Sequence, residues 1–178
     1  MDLTTISRYS RSLQTEINKL GLGQKPRTQS VALKAEDFVG LYDKVVTSAT
    51  LRDVTRKLFV DGYYARAVEE AYKCLVNAVK DKSGLSSDGK DLMDRAFSEK
   101  NPVLKINALK TTSHKDEQIG YMLIFGGCIV GIRNPRAHDH KKVDSPEIAL
   151  EMLVWANHLM RLVDKSKRVR KPRRILTP

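Results

Sequence analysis

Cysteine is scarce in this chain: Cys74 and Cys128 are the two present in 178 residues. They sit far apart in apolar surroundings, so they offer neither a metal-ligand spacing nor a disulfide framework, which suits a reducing compartment. No Cys/His or carboxylate cluster has ligand spacing either, and no metal and no cofactor are expected. Long hydrophobic runs are also missing. The longest, YMLIFGGCIVGI, fills residues 121–132, well short of the ~20 residues a membrane-spanning helix requires. The opening MDLTTISRYSR lacks the charged-then-apolar layout of a secretory signal. A soluble, cytoplasmic protein with no membrane partner is expected. Aromatic residues make up only 6% and charged residues 30%. With no alternating strand pattern of useful length and no internal repeat, that balance favours an all-α protein. A chain of this length fits one domain and can bury a real core.

Acidic residues are outnumbered, 21 Asp and Glu against 32 Lys and Arg, giving a formal net charge of +11. Such a balance favours an anionic partner, whether RNA, DNA or an acidic membrane surface. The excess is concentrated at the end. From Arg161 onward the chain reads RLVDKSKRVRKPRRILTP, with eight basic residues and one Asp, a net +7. Pro172 and the clustered like charges argue against a packed helix beyond about Lys167. A flexible basic tail over 166–178 is expected, with Lys167, Arg168, Arg170, Lys171, Arg173 and Arg174 as candidate nucleic-acid contacts whose affinity would be salt-sensitive. The alternative is a solvated tail that keeps the protein soluble.

Apolar periodicity predicts helices. Residues 3–20 carry Ile6, Leu13, Ile17 and Leu20 on one side before Gly21 and Gly23, and GLGQKPRTQS at 21–30 reads as a linker. Residues 1–49 are therefore expected to be an N-terminal helical extension and linker, with the main helical domain over 50–165. Two further helical segments cover about 35–49 and 51–60. Within 63–81, Tyr64, Val68, Ala71, Leu75 and Ala78 form an amphipathic seam. The opposite side carries Arg66, Glu70, Lys73 and Asn77 as one stripe, which is either a solvent-facing run of ion pairs or the wall of a site. Ser87 or Asp88 can cap a short helix bearing Leu92, Met93, Ala96 and Phe97. Residues 98–115 are irregular, and 117–133 read as either a buried helix or a buried strand pair. Gly120, Gly127 and Gly131 would share one helical face, where a second helix can approach closely. Ser145-Pro146-Glu147 is a strong helix start.

The apolar run ends in GIRNPRAH, residues 131–138. Pro135 disfavours helical geometry at Asn134, so the helix is expected to end near Arg133, leaving His138 in a loop. A guanidinium fork matches phosphate oxygens, and an imidazole can give or take a proton near neutral pH. Metal-free RNA cleavage requires both: the 2′-OH loses a proton, the phosphate gains charge, and the 5′-oxygen gains a proton. The pattern alone does not choose this chemistry. Arg133 is followed by His138 and by His140 at comparable spacings, and a helix end with Arg and His as partners is the structural alternative.

The wider wording is more specific. GYYARAVEEAYK (62–73), GLSSDGKDLM (84–93), EQIG (117–120) and FGGCIVGIRNPRAH (125–138) occur in this order. Together these four blocks resemble the Ymh family of bacterial proteins, a branch of the HEPN superfamily, over roughly residues 50–165. The resemblance implies a helical bundle that dimerises and a metal-independent endoribonuclease acting as a toxin or in defence against phage, with RNA as substrate and an antitoxin or other defence protein as a partner. It assigns Arg133, Asn134 and His138 to the motif of arginine, polar residue, spacer and histidine. His140 fits the permitted spacing, Glu70 and Lys73 match polar family positions, and Arg136 is a loop cation expected to face the phosphate backbone. Some HEPN proteins have lost catalysis and act as binding scaffolds. A non-catalytic nucleic-acid-binding module is the alternative function.

Overall fold

The computed structural model describes residues 3–20 and 34–169. Two compact units divide the chain, Met1–Leu33 and Lys34–Pro178. In the first, helix α1 spans Leu3–Lys19. From Arg11 onward its side chains are exposed, including the apolar Leu13, Ile17 and Leu20. The expected linker at 21–30 lies outside the described residues.

The second unit is an all-α bundle. Its helices are α2 (Ala35–Val45), α3 (Ala49–Val60), α4 (Tyr64–Ser83), α5 (Gly89–Ala96), α6 (Thr112–Cys128), α7 (Asn134–His138) and α8 (Pro146–Lys165), with a π-helical turn at Ile129–Arg133 joining α6 to α7. Helix α4 is the central element. Val68, Ala71, Leu75 and Val79 are completely buried, and the helix packs against both α3 and α8. It ends at Gly84, whose φ of +70° closes the helix in the left-handed region that glycine adopts without strain. Helix α8 starts as its sequence dictates: Ser145 accepts a hydrogen bond from the Ile148 N–H, and Pro146 occupies the first turn, where its missing donor costs nothing. Helices α5 and α6 meet through the stacked rings of Phe97 and Phe125, 4.4 Å between centroids. Residues 117–133 are thus helical, not a strand pair.

Two expected boundaries move. The compact unit begins at Lys34, not at 50, because α2 is part of its core. Phe38, Tyr42 and Val46 are buried, the Tyr42 hydroxyl lies 2.7 Å from that of Thr55, and its ring stacks on Phe59. Asn157 of α8 then clamps the α2–α3 link. Its Oδ1 accepts from the Thr47 and Ser48 N–H groups at 3.0 and 2.9 Å, and its Nδ2 donates to the Val45 carbonyl. The second boundary is at the C-terminal end. Lys167 and Arg168 are not the start of a loose tail but a short strand, β2 (Lys167–Arg168), antiparallel to β1 (Leu104–Lys105). Val169 extends the pairing by donating to the Val103 carbonyl at 2.9 Å. Arg170, Lys171, Arg173 and Arg174 lie outside the described residues.

Candidate functional site

The segment after α6 does not stop at Pro135. Asn134 has φ −62° and ψ −42°, fully helical values, so the expectation that the helix ends near Arg133 is corrected. A proline ring in an α-helix collides with the carbonyl four residues earlier and supplies no N–H. Here the backbone widens just before the proline. The Asn134 N–H reaches back five residues to the Ile129 carbonyl, which is the π-helical bond. The helical path then continues through Pro135 and closes with the Asp139 N–H on the Pro135 carbonyl at 3.1 Å. The motif residues therefore ride on a helix, and Asn134 and His138, four apart, lie one turn from each other on the same side.

The two arginines of the motif are held very differently. Arg136 is almost completely enclosed, its side chain 7% exposed, and it grips the buried Asp144 with a two-point fork at 2.5 and 2.9 Å. Its third donor goes to the Ile132 carbonyl at 2.8 Å. The expected loop cation facing a phosphate backbone is therefore an internal brace that ties α7 to the start of α8. Among the described residues Arg133 makes a single hydrogen bond, from Nη1 to the Asn134 side-chain oxygen at 3.1 Å, and its buried Nε has no partner. A buried donor left unmade costs about 1–3 kcal/mol, so the Arg133 Nε is an energetic liability in the fold.

His138 closes α7 with its side chain exposed. Among the described residues it makes no hydrogen bond or ion pair, and nothing links it directly to Arg133. Asn134 is the intermediary, one turn from His138 and bonded to Arg133. His140 follows α7, exposed in the link to α8.

Asp88, at the start of α5, lies within electrostatic reach of Arg133. Lys80 bonds the Asp88 carboxylate at 2.8 Å. That bond holds its carboxyl below the ordinary aspartate range against the opposing effect of burial, with the Gly89 N–H and the charges of Lys80 and Arg133 adding to it. Asp88 thus flanks α5 by geometry, without a side-chain cap bond of its own.

Glu70 and Lys73 are not brought to the motif. They line a separate cleft of about 500 Å³ between α4, α3 and α8, which no motif residue lines. Their charges are satisfied locally by Glu69, whose side chain is 7% exposed. Lys73 reaches Glu69 at 2.6 Å and Glu70 at 3.2 Å, while Arg66 reaches the same two carboxylates at 2.9 and 2.7 Å. Burial raises the Glu69 carboxyl, but Lys73 and Arg66 outweigh it and leave it below the ordinary range. The stripe is an ion-pair ring. Glu69 is its buried centre and was legible as the residue three after Arg66 and four before Lys73. Asp144 carried no comparable signal, since its partner lies eight residues back.

On the outer side of α6 and the π turn, Leu123 and Val130 are exposed. A Cβ placed at Gly120, Gly127 or Gly131 would meet nothing within 4 Å, so no other helix of this unit packs closely on these glycines. Among the described residues no group of three His, Cys, Asp or Glu could hold a metal ion, and no helix is long and apolar enough to cross a membrane.

A family model described as a protein of unknown function, Hypoth_ymh, matches residues 47–163. Comparison with curated proteins and with solved structures found no match.

Proposed function

The chain belongs to the Hypoth_ymh family, and from that premise we propose that it is a HEPN-type, metal-independent endoribonuclease that works as a homodimer. The observation that carries this reading is the contrast within the motif. The fold engages all three guanidinium nitrogens of Arg136, whereas among the described residues the Arg133 Nε has no partner and the exposed His138 makes no hydrogen bond or ion pair. A guanidinium with spare donors suits a phosphate oxygen, because N–H···O⁻ bonds to an ionised acceptor are about twice as strong as neutral ones.

The chemistry is a transesterification. His138 takes the proton of the RNA 2′-OH, and the 2′-oxygen attacks phosphorus. The bond to the 5′-oxygen breaks, and that oxygen takes up a proton, leaving a 2′,3′-cyclic phosphate and a 5′-hydroxyl. Arg133 donates to the phosphoryl oxygens as their charge grows, and Asn134 holds its guanidinium through the 3.1 Å bond. General acid–base help contributes roughly 10²- to 10⁴-fold and preorganised donors a comparable factor. One imidazole does not reach both sides of an in-line displacement. The second proton carrier is the partner's His138. The apolar, glycine-bearing face of α6 runs directly into the motif and supplies the self-complementary surface that a two-fold dimer needs. A cytoplasmic toxin or anti-phage role, with an antitoxin or other defence protein as partner, is the setting this chemistry suits.

The test is incubation of the full chain with bulk RNA in excess chelator, followed by analysis of the ends. Cyclic or 3′-phosphate ends are expected. Activity lost in chelator and restored by Mg²⁺ or Mn²⁺ would overturn the mechanism. Binding without cleavage would leave a non-catalytic nucleic-acid module in its place.

A further inference from the structure

A second cleft in the bundle is lined by no motif residue. It measures about 1100 Å³ and is bounded by the C-terminal end of α4, the link 100–103, β1 and the strand that roots the basic tail. Its walls carry Lys100, Lys105 and Arg168, and no carboxylate is among its lining residues. Lys167 stands directly opposite Lys105 in the two-strand pairing, an arrangement of like charges that destabilises a sheet. None of these four cations has an ion pair or a side-chain hydrogen bond among the described residues. Elsewhere the bundle pairs its charges closely, as at Arg66, Lys73, Lys80 and Arg136.

Arg168 is positioned without an acid. Its guanidinium lies against Gly84, where an added Cβ would stand 2.5 Å from Nη2. Glycine at 84 therefore serves both the left-handed turn and the seat of this arginine. The strand pairing fixes the backbone of Lys105 and Arg168, so the cluster is held by the fold and not merely gathered on a loop. Beyond Val169 the sequence continues as Arg170, Lys171, Arg173 and Arg174.

We propose that this cleft binds successive phosphates of a single-stranded nucleic acid, with Lys100, Lys105 and Arg168 as its contacts. An open cavity of this size, with three spaced cations and no carboxylate among its lining residues, matches a phosphodiester backbone better than one small anion. Gly84 and Asp88 are four residues apart, at most about 14 Å, and the Asp88 carboxylate feels the Arg133 charge. A strand gripped here is delivered toward Arg133. The identity of the ligand rests on the proposed nuclease reading; the anion site itself does not.

The test uses the full chain carrying His138→Ala, so that the probe stays intact. Binding of a labelled single-stranded RNA of about 20 nucleotides is measured by anisotropy across a salt series, with and without Lys100→Gln and Lys105→Gln together. Each phosphate neutralised on a single strand contributes about 0.7 to the log–log salt slope, so the double variant is expected to flatten the slope by about 1.4 and to weaken binding at low salt roughly tenfold or more. Arg168→Gln alone should flatten it by about 0.7, with circular dichroism unchanged in each case. Unaltered slope and affinity in both variants would overturn the proposal. So would RNA binding that stays constant while binding of a poly-glutamate peptide falls, which would assign the cleft to an acidic protein. A wild-type chain that fails to cut RNA would count against the nuclease reading and leave this result standing.

Discussion

Arg133 and Arg136 are three residues apart, and the fold gives them opposite tasks. Arg136 and Asp144 form a buried pair with side-chain exposures of 7% and 2%. Removing one member of such a pair strands the other charge and costs about 3–5 kcal/mol. Arg136→Ala is therefore expected to lower unfolding stability by that amount in a urea melt. Arg133→Ala, which removes a side chain with one hydrogen bond and an unmet donor, should change it by about 1 kcal/mol or less. Equal losses would mean that both arginines are structural. This distinction was not legible in the sequence. RNPRAH presents two identical cations, and what separates them is Asp144, brought back by the turn into α8. The motif residues were legible by their types and order. Which of them the protein keeps for itself depends on tertiary contact.

Among the elements, the π turn is the least expected and the most consequential. The rule that a residue before proline leaves the helical region holds for α geometry; one extra residue in the turn relieves the collision, and Asn134 stays helical. The apolar pattern of 121–132 carries no trace of this, because a single wide turn does not alter a run that is apolar throughout. Helix starts were read correctly where the chemistry is local, as at Ser145-Pro146. The limits of the packed unit were read incompletely where the partner is remote: β2 depends on a strand some sixty residues upstream, and α2, whose start at Ala35 was legible, is tied into the core by Asn157. Pro135→Ala restores the donor and removes the ring, so the segment can rewind as an α-helix and turn Arg133 relative to Asn134 and His138. Helical content by circular dichroism is expected to be unchanged while RNA cleavage falls by roughly tenfold or more, since small misplacements of reacting groups cost up to about 10²-fold. Full activity in this variant would show that the wide turn does not set the geometry of the site.

At the scale of the whole molecule, the proposed mechanism needs two copies. Leu123 and Val130 are 59% and 51% exposed, so charges placed there do not disturb the core of one protomer. Leu123→Glu with Val130→Glu is expected to convert a dimer to a folded monomer by analytical ultracentrifugation and to abolish most cleavage. A variant that remains dimeric would move the interface to another face. The central claim is that an Arg–Asn–His row on a proline-bearing helix cuts RNA, and the most direct measurement compares His138→Ala with His140→Ala in the same assay, in chelator, with folding checked by circular dichroism. The account predicts that His138→Ala loses about 10²-fold or more while His140→Ala retains most activity and leaves cyclic phosphate ends. Cleavage by His138→Ala at the wild-type rate would contradict it.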